Sequence, residues 1–375
     1  MRFKKLTPRK EKSHTAKQTT RPISPAALLA LLSVLLACFG VAMIFNVSAI
    51  AAFNDFGDKY YYLKEQAKWL VVGLVVMMFF MRIDYKKLFP LALPLLIGSI
   101  GMLIAVFIPG IGISALGASR WLNLGFTTLQ PTEFLKVALV IYLAAWFSYK
   151  ERGRLLSFLL LLGIIIVPVV LQPDLGSAVV IVLLALTIYF VSGAPLWQFG
   201  MVVPFMVSSV LLLAISAPYR LERVKTFLNP ESDPQGTSYH LRQILIALGS
   251  GGWFGVGLGQ SRQKFAYLPE VTTDSIFAVI SEEVGFLGAS LMLLLFLVML
   301  YQGIRIALVA RDRFGRLVAM GIVVTLGFQM LINLGAMVSI LPLTGIPLPF
   351  ISYGGSNLIV SFAMIGILLS IARRN

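Results

Sequence analysis

Glu133 and Lys136 stand three residues apart, Asp174 follows a Gln-Pro pair, and Asp274 is followed eight residues later by the adjacent carboxylates Glu282 and Glu283. On a helix, residues three apart share a face, so Glu133 and Lys136 can pair and together orient a hydroxyl or a phosphate. Glu282 and Glu283 diverge by about 100° around a helix, so at most one of them readily faces a cavity and the other needs a different partner. A carboxylate within hydrogen-bond reach of a hydroxyl can take its proton as that oxygen attacks, and cations beside a departing phosphate stabilise the charge it gathers. The plainer role for each of these residues is an interfacial anchor. A first-turn carboxylate such as Asp274, with Thr272 or Thr273 as the cap, is favoured by the helix dipole alone.

The elements that must position these groups are membrane spans. With 58% hydrophobic and 13% charged residues in a 375-residue chain, and a mean hydropathy of +0.89, a soluble globule is excluded. At roughly twenty apolar residues per crossing, ten transmembrane helices are predicted, near 27–50, 66–81, 88–108, 132–149, 155–171, 175–192, 196–216, 275–302, 317–341 and 347–372. The fold class is therefore an all-α polytopic membrane protein. Residues 1–25 are expected as a basic, disordered cytoplasmic tail, and 26–375 as one ten-span domain. The first apolar run is longer than the core of a cleaved signal, so it reads as a retained span.

Cytoplasmic segments retain Lys and Arg. Of the 31 Lys and Arg, 20 fall in the N-terminal tail, 82–87, 150–154, 305–316 and the last three residues, which puts both termini in the cytoplasm. Two external segments are then long enough to carry function, about 109–131 and the large loop 217–274 between spans seven and eight. The latter holds Arg223 among six basic residues and an amphipathic stretch, YHLRQILIAL, suited to the outer membrane surface, where it can hold a pyrophosphate whose lipid tail stays in the bilayer. An ordinary solvated loop has the same composition. Every ionisable residue named above lies at the external end of a span, where an intramembrane charge is costly and commonly functional. A polar pocket opening to the outer leaflet is implied.

The run LPLTGIPLPFISYGGSN, 341–357, interrupts the last two spans with prolines and the Gly354–Gly355 pair. Lipid leaves free backbone groups unsatisfied, so such a break must be packed in protein or line a wet cavity. It is expected to form a wall facing Asp274, with backbone groups of Ser352, Gly354 and Gly355 turned toward a polar ligand. Other chemistries are unsupported. Cys38 is the lone cysteine, the only histidines are His14 and His240, and no P-loop or zinc spacing appears. His240 reads as a polar surface residue, and the glycine-rich 249–259 as a flexible membrane-surface loop with Trp253 and Phe254 at headgroup level. The net charge of +15 is concentrated where topology already requires it, so anionic lipid rather than nucleic acid is the expected partner.

Three segments carry a family resemblance: GASRWLNLGFTTLQPTEFLK at 117–136, YLPEVTTDSIFAVISEEVGFLG at 267–288, and the 341–357 run. In motif, order and external placement they resemble the shape, elongation, division and sporulation (SEDS) glycosyltransferases, and GSGGWFGVGLGQSRQKFAYLPE resembles the division (FtsW) branch more than the elongation (RodA) branch. The resemblance implies an enzyme of the bacterial plasma membrane, acting in cell division. It polymerises lipid II, a disaccharide-pentapeptide on undecaprenyl pyrophosphate, into peptidoglycan strands on the external face. It places the family's essential aspartate at Asp274, its Arg-Trp pair at Arg120 and Trp121, and its Glu and Lys at Glu133 and Lys136. Thr272 and Ser275 stand where the family often has histidine and phenylalanine, which argues against a histidine-dependent step. Asn357 replaces a usual serine.

Under that resemblance Asp274 is the general base of an inverting displacement, which needs only one carboxylate. Arg120, Trp121, Glu133, Lys136, Arg223, Glu282, Ser352, Gly354 and Gly355 are the expected substrate-binding residues. No ligand cluster for a resident metal is evident in the sequence, and a divalent cation, Mg²⁺ or Mn²⁺, is left open. Also implied are a class B penicillin-binding transpeptidase and other divisome or elongasome membrane proteins as partners. Two other functions compete. A lipid II flippase needs a membrane-deep polar route, which the uncharged span centres disfavour; a non-catalytic scaffold predicts that Asp274 is dispensable.

Overall fold

The computed structural model describes residues 24–115, 118–125, 127–149, 154–216, 218–229, 238–263 and 271–374. All but the last two residues of the expected cytoplasmic tail lie outside them. Each of the ten predicted spans meets a helix: α1 (Pro25–Phe56), α2 (Tyr61–Arg82), α3 (Leu88–Ala105), α4 (Pro131–Ser148), α5 (Leu155–Leu171), α6 (Leu175–Val191), α7 (Leu196–Ile215), α10 (Ile276–Val309), α11 (Arg313–Met337) and α12 (Gly355–Arg373). The long connection between α7 and α10 adds α8 (Pro218–Leu228) and α9 (Tyr239–Ser250). Seven of the helices are long and apolar enough to cross a membrane, and α5 and α6 are shorter apolar helices.

Helix ends fall where the sequence supplies caps. Ser24 accepts from Ala27 N–H ahead of Pro25, Asp312 from Gly315 N–H at α11, and Asp174 from Ser177 N–H at 3.1 Å at α6. The core is built by α4, α11 and α12: the most apolar stretches of α4 and α12 are 72% buried and that of α11 is 67% buried, against 6% for α7. Around them, α5 shows how a lipid-facing helix reads. Phe158, Leu162, Ile165 and Val169 are buried, while Leu156, Leu160, Ile164, Val167 and Leu171 are exposed on the other side. In water that stripe would be unstable; against acyl chains it needs no cover.

Three features depart from the expected architecture. First, the chain is not purely α: β1 (Gly112–Ala115), β2 (Ala118–Asn123) and β3 (Thr128–Leu129) form an antiparallel sheet in the order β1-β2-β3, with Ile113 opposite Trp121 and Leu122 opposite Leu129. A segment outside the spans must pair its own backbone, and a meander does so locally. Second, α12 begins at Gly355, eight residues inside the predicted tenth span, because Pro347 and Pro349 keep the preceding stretch irregular.

Third, the glycine-rich segment is pinned, not a flexible surface loop. Within α10, Gly285 takes φ 69° and ψ −174°, which breaks the helix, and the loop fills the break. Val256 and Gly257 N–H donate to the carbonyls of Glu282 and Glu283 at 3.0 and 3.1 Å, and Phe286 and Leu287 N–H donate to Gly252 and Trp253 at 2.8 and 3.1 Å. A Cβ on Gly255 would come within 2.1 Å of the Glu283 carbonyl oxygen. The glycines are there for close backbone approach, while Trp253 and Phe254 remain exposed.

Candidate active site

Asp274 sits in the turn before α10 and is 8% exposed. Thr273 Oγ1 donates to its Oδ1 at 3.3 Å. Its other oxygen faces the break between α11 and α12 at Gly345, where φ is +72° and a Cβ would lie 3.9 Å from Oδ2. Gly345 thus supplies a backbone angle that side chains resist directly beside the carboxylate.

The short arm Leu343–Ile346 is the hub of the site. On one side, Arg223 of α8, itself exposed, donates from Nη1 to the Leu343 carbonyl at 3.2 Å, which uses one of five guanidinium N–H groups. On another, Gly176 of α6 lies against Thr344, so close that a Cβ would stand 2.8 Å from its carbonyl oxygen. The turn preceding α6 is fastened by Arg120 of β2, which donates to the Gln172 carbonyl at 3.2 Å and to that of Pro173. Gln172 in turn donates to the Leu103 carbonyl of α3 at 2.9 Å. From α11, Asn333 donates to the carbonyls of both Asp274 and Ile346, at 2.9 and 2.8 Å. Asp274, Arg223, Asn333 and Gly176 therefore border the same four residues of irregular backbone, while Arg120 and Asp174 belong to the turn that leads into α6.

This surround contains buried polar atoms with no partner among the described residues: Asp174 Oδ2, Gln172 Oε1, Thr344 Oγ1 and Asn333 Oδ1. Such orphans are uncommon in native proteins and mark a place for water or a ligand. On α4, Glu133 and Lys136 are 1% and 2% exposed and joined at 2.8 Å, as their spacing predicts. Glu133 Oε2 and Thr132 Oγ1 are orphans, and so are both amide atoms of Gln329 on α11. Because a Cβ on Gly321 of α11 would meet Val140 of α4, and the two helices run antiparallel, Gln329 falls at the level of this pair.

Other expected residues are engaged elsewhere. Glu282 accepts from Ser261 Oγ and from Arg262 N–H at 3.3 Å, and Glu283 accepts from Asn46 Nδ2 of α1 and Ser261 N–H at 3.4 Å. Both carboxylates staple the glycine-rich loop, so neither is free to face the pocket. Ser352, Gly354 and Gly355 do not present free backbone. Ser352 N–H donates to Leu348 at 3.0 Å, its carbonyl accepts from Gln66 Nε2 of α2 at 3.4 Å, Gly354 N–H donates to Gln66 Oε1 at 3.2 Å, and Gly355 abuts the Trp69 ring. Buried irregular backbone needs partners, and Gln66 is one. The wall that reaches Asp274 is Gly345–Ile346, with Tyr353 N–H adding a bond to Thr272 at 2.8 Å. Trp121 is half-buried on β2 next to Arg120.

Gln66, Gln329 and Asn333 carry no charge that marks them in the sequence, and His240 is expected there at the surface. His240 instead lies half-buried with Nε2 2.7 Å from Ser275 Oγ, one residue from Asp274. Polar amides inside apolar spans are the available signal. Cavities of about 490 Å³ beside the N-terminal end of α1 and about 200 Å³ between α5, α6 and α7 are lined mainly by apolar side chains and hold none of the site residues. Converging polar groups, not empty volume, define the site.

Fold and site together define a polytopic helical membrane protein with the carboxylates Asp274 and Asp174 and the cations Arg223 and Arg120 near a break between two helices. A family model described as cell cycle protein, and named for FtsW, RodA and SpoVE, matches residues 26–375, and the chain belongs to that family, the SEDS proteins. It is 40% identical over 361 residues to stage V sporulation protein E of Bacillus subtilis, covering 95% of this chain and 99% of that one. It is also 40% identical over 357 residues to the probable peptidoglycan glycosyltransferase FtsW of Geobacter metallireducens, covering 92% and 94%. Among solved structures, a chain from work on the structural coordination of polymerization and crosslinking by a peptidoglycan synthase complex superposes with TM-score 0.75 at 28% identity, covering 92% and 97%. The rod shape determining protein RodA of Thermus thermophilus superposes with TM-score 0.68 at 27% identity, covering 92% and 95%.

Proposed function

We propose that this protein is a peptidoglycan glycosyltransferase that polymerises lipid II, with a role in cell division, and that Asp274 is its general base. The observation that carries the assignment of the base is the place of the Asp274 carboxylate, set against the irregular Leu343–Ile346 arm with Oδ2 facing Gly345, while Arg223 reaches the same arm. The acceptor hydroxyl gives its proton to Asp274 as its oxygen attacks the anomeric carbon of the donor, and the bond to undecaprenyl pyrophosphate breaks with inversion. The pyrophosphate already departs well, so cations matter more than a general acid. Arg223 is the best placed of them, because it is exposed and most of its donors remain available. Arg120 acts behind it, holding the turn before α6.

A divalent ion fits this scheme as a companion of the pyrophosphate. Among the described residues no group of three or more His, Cys, Asp or Glu could hold a metal; were Mg²⁺ or Mn²⁺ to enter with the pyrophosphate, Asp274 and Asp174, the latter with Oδ2 buried and without a partner among the described residues, would be the residues to hold it, and it would neutralise charge on the leaving group. The likeness to a chain solved in a peptidoglycan synthase complex supports a class B penicillin-binding transpeptidase as the partner. In this reading the chain crosses the plasma membrane ten times with both termini cytoplasmic, which the bias of Lys and Arg supports, and the pocket opens on the outer face.

The deciding experiment is polymerisation of lipid II by purified, reconstituted protein. Asp274→Asn keeps shape but removes basicity, so strand synthesis should fall by about a hundredfold or more while lipid II still binds. Substantial polymer from the purified variant would rule Asp274 out as the base.

A further inference from the structure

Asn333 lies near the external end of α11, 1% exposed, on a helix packed into the core of the bundle. Its side-chain amide has two hydrogens. Both are directed at main-chain carbonyls of irregular segments: Asp274 at 2.9 Å and Ile346 at 2.8 Å. The first carbonyl belongs to the candidate base itself, and the second to the residue after Gly345, which borders the carboxylate's Oδ2. One side chain on a rigid helix thus sets the separation of the two pieces of backbone between which the reacting hydroxyl must fit. The geometry is specific to an amide, because a single planar NH₂ serves two acceptors at once.

Resting on the reading of Asp274 as the base, we propose that Asn333 is a positioning residue for it. Neither segment it joins has a helical or sheet ladder to fix it at that point, and a displacement of about 1 Å in a reacting group costs on the order of a hundredfold in rate. Asn333 does not touch substrate in this assignment. It acts through the placement of Asp274, so its effect should appear in kcat and vanish when the carboxylate is gone.

The test is a double-mutant cycle in the lipid II polymerisation assay with wild type, Asn333→Leu, Asp274→Asn and the double variant. Leucine keeps the branched shape and the number of heavy atoms and removes both donors. Asn333→Leu should lower kcat by tenfold to a hundredfold with KM for lipid II changed less than twofold, and should change the residual rate of Asp274→Asn by less than twofold. A kcat within twofold of wild type would overturn the proposal. So would a loss of equal size in the Asp274→Asn background, which is what a merely structural role produces. If Asn333→Leu fails to fold, Asn333→Ser, whose hydroxyl can serve one carbonyl at a time, enters the same cycle and must show the same non-additivity. Should Asp274→Asn polymerise like wild type, the base assignment falls and the positioning role falls with it; an inactive Asp274→Asn beside a fully active Asn333→Leu overturns the positioning role alone.

Discussion

Two cations expected to grip the same pyrophosphate have different physical situations. Lys136 is 2% exposed and paired with Glu133 at 2.8 Å, whereas Arg223 is exposed and donates to one carbonyl. Removing one partner of a buried ion pair leaves an uncompensated charge and destabilises by about 3–5 kcal/mol, while replacing both is commonly near neutral. Lys136→Met should therefore lower the melting temperature of the solubilised protein markedly, and Glu133→Gln with Lys136→Met should restore most of it. Arg223→Gln should leave the melting temperature nearly unchanged and weaken lipid II binding, with the difference from wild type shrinking as salt rises. A titration showing equal affinities at low salt would remove Arg223 from the site. The pairing of Glu133 with Lys136 was legible from their spacing; the orphaned amide of Gln329 at their level was not, because an uncharged side chain raises no alarm in a hydropathy reading.

Among the elements, the break between α11 and α12 was announced by Pro342, Pro347 and Pro349, and what lines Asp274 was not. Local sequence shows where a helix must stop, but not which part of the irregular stretch turns inward, since that depends on partners far away in the chain such as Gln66 and Asn333. The same holds for the glycine-rich loop, whose partner is a break in α10 some thirty residues on. These contacts imply that Gly355 is a packing residue. A Cβ there would come within 2.7 Å of the Trp69 ring, so Gly355→Val should lower stability and polymerisation together. Loss of activity with an unchanged melting curve would return Gly355 to the substrate pocket. Gly285→Ala is a harsher case: its backbone angles are essentially reserved to glycine, at about 1–3 kcal/mol for other residues, and a Cβ would stand 2.2 Å from Gly255 N.

At the scale of the whole molecule, the bundle has two chemically distinct ends. Ser24 of α1, Arg305 of α10 and Arg373 of α12 line one cavity. Nearby in the chain, Arg374 pairs with Asp84 at 3.5 Å and donates to the Arg82 carbonyl at 3.1 Å, and Lys86 approaches Asp312 at 3.9 Å. That end gathers the short basic connections. At the other end Asn46 of α1 meets Glu283 of α10, and Asp274, Arg120, Arg223 and the sheet follow. The apolar helices were legible because lipid enforces length and hydropathy on every crossing, and the bias of Lys and Arg predicts that the basic end is cytoplasmic. A topology test follows directly. With Cys38 changed to alanine, a cysteine at exposed Lys59, in the turn between α1 and α2, should react with a membrane-impermeant maleimide on intact spheroplasts. One at exposed Lys87, which α2 at about 1.5 Å per residue carries to the opposite side, should react only after permeabilisation. The reverse pattern would put Asp274 in the cytoplasm, where lipid II polymerisation into the wall cannot occur, and the functional reading would fail with it.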